Sequence, residues 1–528
     1  MNKRYFLIFS IMSVLAIGAC KKSKVDPVTT PPVVTPPTTG TATRQQLSLD
    51  SIFLYAKEIY YWNDKLPTYD AFNPRQYSGL STDKANYDKE LLEITKYSSP
   101  YEWTTGATSP KYSYIFDKTN KNPTASINEV SSVDLEGNGN DLGIRFGLYG
   151  STSDYIVYVT AVYQNSPAEK SGFVRGDVIK KINGVSYGTD YNSEVGALNT
   201  ALSGTTVTLE GIKAGGTAFN LTLTKAVFKS SPIYKSKVIT AGTKKVGYVA
   251  YARFSNADNS VNELNTIFDG FSTSGVTDLV VDLRYNGGGY VSTAEHLINL
   301  IAPSTASGVM FSEYYNATMQ AGNAKILANQ PLLDANGKIR YSNGTMLTYA
   351  NVNYSVASNT VNFAKKGALA NVSNIVFIVS GNTASASELV INSLKPHMNV
   401  KLVGKTTYGK PIGFFPVTIE NRYDVYFSLF ETKNSLGQGG YYSGMVPDYD
   451  LFEVPSGTIM YDFGNVNDVY LKKALDVLAP GTTVTNDKTV MAAKQTSSNT
   501  VSSSNMINAD FVGREFKGMI ENRFKLKN

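Results

Sequence analysis

The sequence predicts a multidomain protein of mixed α+β and α/β class: a mainly helical N-terminal domain, a β-rich middle domain, and a core containing βαβ units. Three observations carry that prediction. The chain is 528 residues long, more than one domain usually holds. Aromatic residues make up 12% of it, with 35 Tyr, while charged residues make up only 17%, against about 25% in an average soluble chain. That balance favours ordered, strand-rich structure over disorder. The local pattern also changes twice, from helical three-four spacing after residue 45, to short β-rich runs broken by Gly, to strand–turn–helix units from Val246 onward.

The first residues, Lys3 and Arg4 followed by an uncharged and largely apolar run from Tyr5 to Ala19, have the layout of a secretory signal over residues 1–19. Leu15-Ala16-Ile17-Gly18-Ala19-Cys20 resembles a lipobox, which implies lipidation of Cys20; an ordinary cleaved signal with a chance Cys is the alternative. Residues 20–44 then read as a Pro/Thr-rich spacer from a membrane. Six of the 49 basic residues and one of the 43 acidic ones precede residue 45, so the remainder carries a net charge of +1. A charge that small gives no basis for a nucleic-acid partner. Two His and one Cys leave little material for a zinc site or disulfides, and neither a metal nor a cofactor is expected.

From Leu47 to Trp62, Ile52, Tyr55, Ala56, Ile59 and Tyr60 fall at helical spacing, with Ser48 or Asp50 as N-cap and Pro67 as the stop. This opens a helical domain over 45–128. In the β-rich domain, 129–228, Ser166-Pro167-Ala168-Glu169-Lys170-Ser171-Gly172 leads through Arg175-Gly176-Asp177-Val178-Ile179 to Ile182-Asn183-Gly184-Val185. This order resembles a PDZ domain of the bacterial protease type. The resemblance implies that Leu142-Gly143-Ile144 offers backbone amides to a peptide's terminal carboxylate. It also makes Ser193 to Leu202 the helix beside the groove, with Val195, Leu198 and Leu202 as apolar contacts. An extended peptide would add there as a strand.

The core, 229–480, holds a strand at Val246 to Tyr251 and two βα units. The first runs from Asp278 to Leu283 through Asn286-Gly287-Gly288-Gly289 to a helix at Ser292 to Ile301. The second runs from Ile375 to Val379 through Gly381-Asn382-Thr383 to a helix from Ala386 to Lys395, then a strand at Val400 to Val403. Residues 303–373 read as an insertion. Residues 481–528 read as a linker and a short terminal helix from Phe511 to Phe524.

Both Gly-rich turns sit at carboxyl ends of strands, where open α/β sheets bind ligands. Ser385 lies at such a turn, where free amides and the positive helix end would stabilise an oxyanion. Ser385 with Glu388 is equally a capping box, so that segment alone decides nothing. Lys410, in Thr407-Tyr408-Gly409-Lys410-Pro411 and 25 residues beyond Ser385, changes the weight. Together with Asp282-Leu283-Arg284-Tyr285-Asn286-Gly287-Gly288-Gly289, Ala384 to Glu388, and Ser443-Gly444-Met445-Val446-Pro447-Asp448, the chain over about 140–455 resembles the C-terminal processing, or tail-specific, peptidases. That family uses a Ser-Lys dyad, and the resemblance implies a cell-envelope serine endopeptidase acting on polypeptides with free C-termini. Chemically, a buried, neutral Lys410 would take the proton of Ser385, with the amides of Ala386 and of Gly288 or a neighbouring glycine as oxyanion donors. Many family members carry a Gln four residues after the lysine to orient it. Phe414 stands there instead, and Glu388 is the first replacement for that role. His296 and His397 read as structural. The competing reading is a non-catalytic peptide- or ligand-binding lipoprotein that keeps the PDZ groove.

Overall fold

Thr43 starts the first helix, Arg44–Ile59: its hydroxyl accepts from the Gln46 N–H at 3.2 Å, and the Gln46 side chain accepts from the Thr43 N–H at 3.0 Å. The expected caps, Ser48 and Asp50, lie inside the helix on its buried face. There the Asp50 carboxylate receives the Arg75 guanidinium at 2.7 Å and the Tyr69 hydroxyl at 2.6 Å. The structure, a computed structural model, describes residues 42–119, 132–334, 337–455, 459–482, 484, 507–512 and 516–527. The signal, Cys20, most of the Pro/Thr spacer and the linker at 495–504 fall outside the described residues.

A second helix, Asp83–Thr95, packs on the first, and the chain then enters a strand, Tyr114–Asp117, paired antiparallel with Tyr423–Tyr426. The helical segment is therefore joined to the core by a sheet. It does not stand off as a separate lobe.

The β-rich domain follows the expected order. Ser166 caps a one-turn helix, Pro167–Lys170, with Pro at its first position. Strands Ile144–Ser151, Asp154–Val162, Val178–Ile182, Thr206–Ile212 and Ala218–Thr224 pair antiparallel in that sequence. Val207 and Leu209 alternate inward along their strand and join Leu148, Val159 and Ile182 in the domain's core. The helix Tyr191–Ser203 covers it.

The central sheet orders as Ile233–Ala241, Lys244–Tyr251, Asp278–Asp282, Asn374–Val379, Asn399–Gly404 and Tyr449–Asp450, parallel after the first pair. Every residue of Asp278–Asp282 is buried, as a parallel strand covered on both faces requires. Helix Val469–Leu478 packs on one face through Leu471, Leu475 and Leu478 against Val280, Val376 and Ile378. The helices Val291–Ile301 and Ala386–Leu394 follow the two glycine-rich turns and pack on each other. The segment 303–373 is more than an insertion. Its strand Val309–Tyr315 pairs with Phe430–Asn434, which also pairs with Ile412–Gly413 just after Lys410.

At the far end the expected helix from Phe511 to Phe524 is not what forms in the described residues. Ile507–Val512 and Gly518–Ile520 are strands, the first antiparallel to Ile144–Ser151 and the second parallel to Gly288–Tyr290. Two sheet edges with open N–H and C=O groups outcompete a short amphipathic helix there.

A buried ion cluster joins the β-rich domain to the core. Arg175 reaches Glu453 at 2.6 Å and the Tyr285 hydroxyl at 3.0 Å, while Arg284 reaches Glu453 and Asp468 at 2.8 Å each and Asp282 at 2.7 Å. Burial alone would raise the Glu453 carboxyl, but Arg175 and Arg284 hold it down to about 2. A carboxyl held below its unfolded value of about 4.3 adds stability above that pH and loses it as pH falls towards 2. Glu453→Gln should therefore cost about 3 kcal/mol at pH 7, and urea unfolding should find that deficit shrinking between pH 4.5 and 2.

Candidate active site

The two glycine-rich turns become neighbours because their strands, Asp278–Asp282 and Asn374–Val379, are adjacent and parallel. The Ser387 hydroxyl donates to Asn286 O at 3.0 Å, the Ala384 N–H to the same oxygen at 3.2 Å, and the Thr383 hydroxyl to Leu283 O at 2.7 Å. These bonds fix the serine turn on the glycine turn. Ser385 itself has φ +61° and ψ −110°, a backbone conformation that L-residues rarely adopt and that concentrates at functional turns. Its hydroxyl is fully buried and has no hydrogen-bond partner among the described residues.

Glu388 ties this turn to the lysine turn. One of its oxygens, Oε2, accepts from both the Ser385 N–H and the Lys410 N–H at 2.8 Å. The other, Oε1, accepts from the Gly409 N–H at 2.7 Å and from the Thr407 hydroxyl. Burial pushes this carboxyl up, and the four bonds it accepts work against that shift. Glu388 therefore holds the lysine's backbone and not its amine, which corrects the role given to it in place of the missing Gln. It is a positioning residue.

The amine of Lys410 is 1% exposed at residue level and donates to Tyr112 O at 3.4 Å and Lys517 O at 3.2 Å. The Phe414 ring lies 4.3 Å from it and the Tyr112 ring 5.7 Å. Phe414 thus serves as an apolar wall where the family pattern has an amide. Burial lowers the Lys410 pKa to about 7, against the upward pull of Glu102 and Glu388. Tyr112 and Glu102 escaped the sequence reading. They come from the N-terminal segment, about 300 residues from Lys410, and only the pairing of Tyr114–Asp117 with the core brings them in. Tyr112 also donates its hydroxyl to Gly409 O at 2.6 Å.

Of the two expected oxyanion donors, Ala386 opens its helix, where first-turn amides lack an intrahelical acceptor. The Gly288 N–H instead donates to the Asn286 side chain at 2.9 Å, so it is committed in this structure. Gly288 has φ +113°, and a Cβ there would stand 2.2 Å from Gly518 O and 3.1 Å from Ala386 N; only glycine permits that approach. His296 pairs with Asn265 and His397 with Ser435, away from the serine. Among the described residues, no cluster of His, Cys, Asp and Glu is arranged to hold a metal ion.

In the β-rich domain, Leu198 and Leu202 belong to the hydrophobic core, while Val195 is half-buried on the same helix. Leu142 and Ile144 are buried in that core too. The Gly143 N–H donates to the Asp141 carboxylate at 2.7 Å. Of the three residues expected to receive a terminal carboxylate, this one already donates to a side chain of the protein itself.

Residues 245–451 match the model of peptidase family S41, and residues 158–210 match that of a PDZ domain. The core of this chain, residues 245–451, is of the peptidase S41 type. The carboxy-terminal processing protease CtpA of Bacillus subtilis is 26% identical over 286 residues, covering 54% of this chain and 49% of that protein. The carboxyl-terminal-processing protease of Synechocystis is 23% identical over 370 residues, covering 69% and 74%. The chain thus spans about half the length of the first relative. The crystal structure of a "Putative S41 protease" from Bacteroides fragilis shares the fold with a TM-score of 0.55 at 22% identity, over 84% of this chain and 99% of that one.

The buried amine of the S41 core has a stability signature of its own. Between about 7 and the ~10.4 of a free lysine, the unfolded chain binds a proton that folded Lys410 does not, so this group's contribution to stability rises with pH. Lys410→Met removes that contribution. The variant should be more stable than the wild type by a few kcal/mol at pH 7, and calorimetry should find the gap closing as pH approaches 10.

Proposed function

We propose that this chain is a serine endopeptidase of the C-terminal processing type that cleaves polypeptides through Ser385 and Lys410. The observation that carries the reading is a buried lysine, its pKa lowered to about 7, whose backbone N–H shares one Glu388 oxygen with the backbone N–H of a serine on a strained strand-to-helix turn. Neutral Lys410 accepts the Ser385 proton as Oγ bonds to the scissile carbonyl carbon. The Ala386 amide at the helix N-terminus faces the oxyanion that forms. When the C–N bond breaks, Lys410 returns the proton to the leaving amine, and water then releases the acyl group by the same route. The PDZ domain takes the extended tail of the substrate by strand addition on Ile144–Ser151. The half-buried Val195 and the buried Leu198 and Leu202 behind it favour apolar tails.

Cys20 is proposed as a lipidated N-terminus, placing the enzyme on the bacterial cell envelope. The support is the lipobox-like sequence before it. Among the described residues, no helix is long and apolar enough to cross a membrane. Cys20→Ser should move the protein from washed membranes to the soluble fraction with its activity intact; retention in membranes would mean a different attachment.

Ser385→Ala and Lys410→Ala should each lower kcat/KM on an unfolded protein by at least 1,000-fold, as dyad members acting as one unit do. The double variant should be no worse than either single. For the wild type, log kcat/KM should rise with unit slope and level off near pH 7, because the protonated amine cannot act as a base. Full activity of Ser385→Ala would remove the assignment.

A further inference from the structure

The C-terminal segment runs through both functional clefts. Ile507–Val512 lies antiparallel on the PDZ edge strand, from Ile507 opposite Gly150 to Val512 opposite Phe146, and the helix Tyr191–Ser203 approaches it. A captured peptide adding to this edge towards the Leu142-Gly143-Ile144 loop runs in the same direction. Gly518–Ile520 then pairs with Gly288–Tyr290, with the Gly518 N–H donating to Gly287 O at 3.0 Å. On its other side the Phe414 N–H donates to Met519 O at 3.0 Å and the Glu521 N–H to Phe414 O at 3.2 Å. The tail therefore bridges the glycine turn and the residue that walls Lys410, and Met519 is fully buried there.

Lys410 donates to a tail carbonyl, Lys517 O, while the Ser385 hydroxyl has no hydrogen-bond partner among the described residues. A base engaged with this strand is not engaged with its nucleophile. Glu521 enters beside Glu313, whose carboxyl is pushed well up by burial and then by Glu521, with Arg523 and the Tyr315 hydroxyl as the opposing groups.

We propose that residues 507–512 and 516–527 are the resident ligand of this enzyme's own PDZ groove and catalytic cleft, and that a substrate tail is cleaved only after displacing them. This rests on the peptidase reading. The PDZ domain then acts as the release point. A polypeptide C-terminus that adds to Ile144–Ser151 takes the place of Ile507–Val512, and the strand over Gly288 loses its upstream tether.

The test has an activity arm and an occupancy arm, both on the full chain. In Gly518→Val the new Cβ meets the Phe516 and Phe414 rings at 2.3 and 2.7 Å, so those rings must shift and the strand is weakened in its seat. In the Asn508→Pro, Ala509→Pro double variant, one of two successive amides, which point to opposite sides of a strand, is lost from the PDZ pairing. Each variant should cleave dye-quenched casein with kcat/KM at least tenfold above the wild type. Variants no faster than an active wild type would overturn the proposal. In the occupancy arm, Ser385→Ala protein is followed by hydrogen exchange. Amides 518–521 should exchange slowly, and at least tenfold faster with a saturating free-acid peptide of residues 503–512. Fast exchange without the peptide, or slow exchange in its presence, would overturn it. If no form of the protein cleaves casein, the peptidase reading fails, and the exchange arm still decides whether the tail is a displaceable occupant.

Discussion

One buried carboxylate sets the register of the serine turn against the lysine turn. Ser385 and Lys410 leave different strands of the central sheet, and parallel pairing brings their turns only to the same rim. Glu388 completes the match by accepting from both backbone amides through one oxygen, and from Gly409 and Thr407 through the other. Hydrogen bonds to a charged acceptor contribute roughly 1.5–3 kcal/mol each. The strained backbone at Ser385 costs on the order of 1–3 kcal/mol, so the carboxylate is strong enough to hold it. A helix-capping geometry has here been extended across the chain into a clamp between two turns.

The lysine's environment is collected from three distant parts of the sequence. Tyr112 from the N-terminal segment, Phe414 from the core and Lys517 from the tail surround one amine. The Phe414 ring attracts a cation, and Glu102 and Glu388 pull the same way, yet the amine still falls to about 7 because dehydration of the ammonium is the larger effect. The helical segment at the N-terminus is thus a wall of the site.

The PDZ domain is fastened to the core at one polar point. Arg175, at the head of its Gly-Asp turn, meets Glu453 and Tyr285, and Tyr285 directly precedes the Asn286-Gly287-Gly288 turn beneath the serine. Buried ion pairs add little net stability over apolar packing but tolerate few alternative geometries. The domain's position is therefore tied to that of the glycine turn. The tail crosses the same two places, touching the PDZ edge and then Gly288, so groove and cleft share a ligand as well as a joint.

The sequence by itself determined the elements and the chemistry that depend on local pattern. The buried strands at 246–251, 278–283 and 375–379 could be read from apolar runs, the serine turn from its place between strand and helix, and the PDZ order from its Gly-Asp turn; motif order is what proposes Ser385 and Lys410 as partners. Tertiary structure decided what depends on contacts across the chain. Burial made Ser48 and Asp50 partners of distant residues, so the helix starts at Thr43 instead. The capping geometry of Glu388 was legible, but its hold on Gly409 and Lys410 was not, because nothing local distinguishes a cap from a clamp. Tyr112 and Glu102 gave no signal, since what they act on, by a hydrogen bond and by charge, is a lysine about 300 residues away. The tail resembled a helix because amphipathic spacing is a local property. It became two strands because open sheet edges elsewhere in the fold offered its backbone better partners.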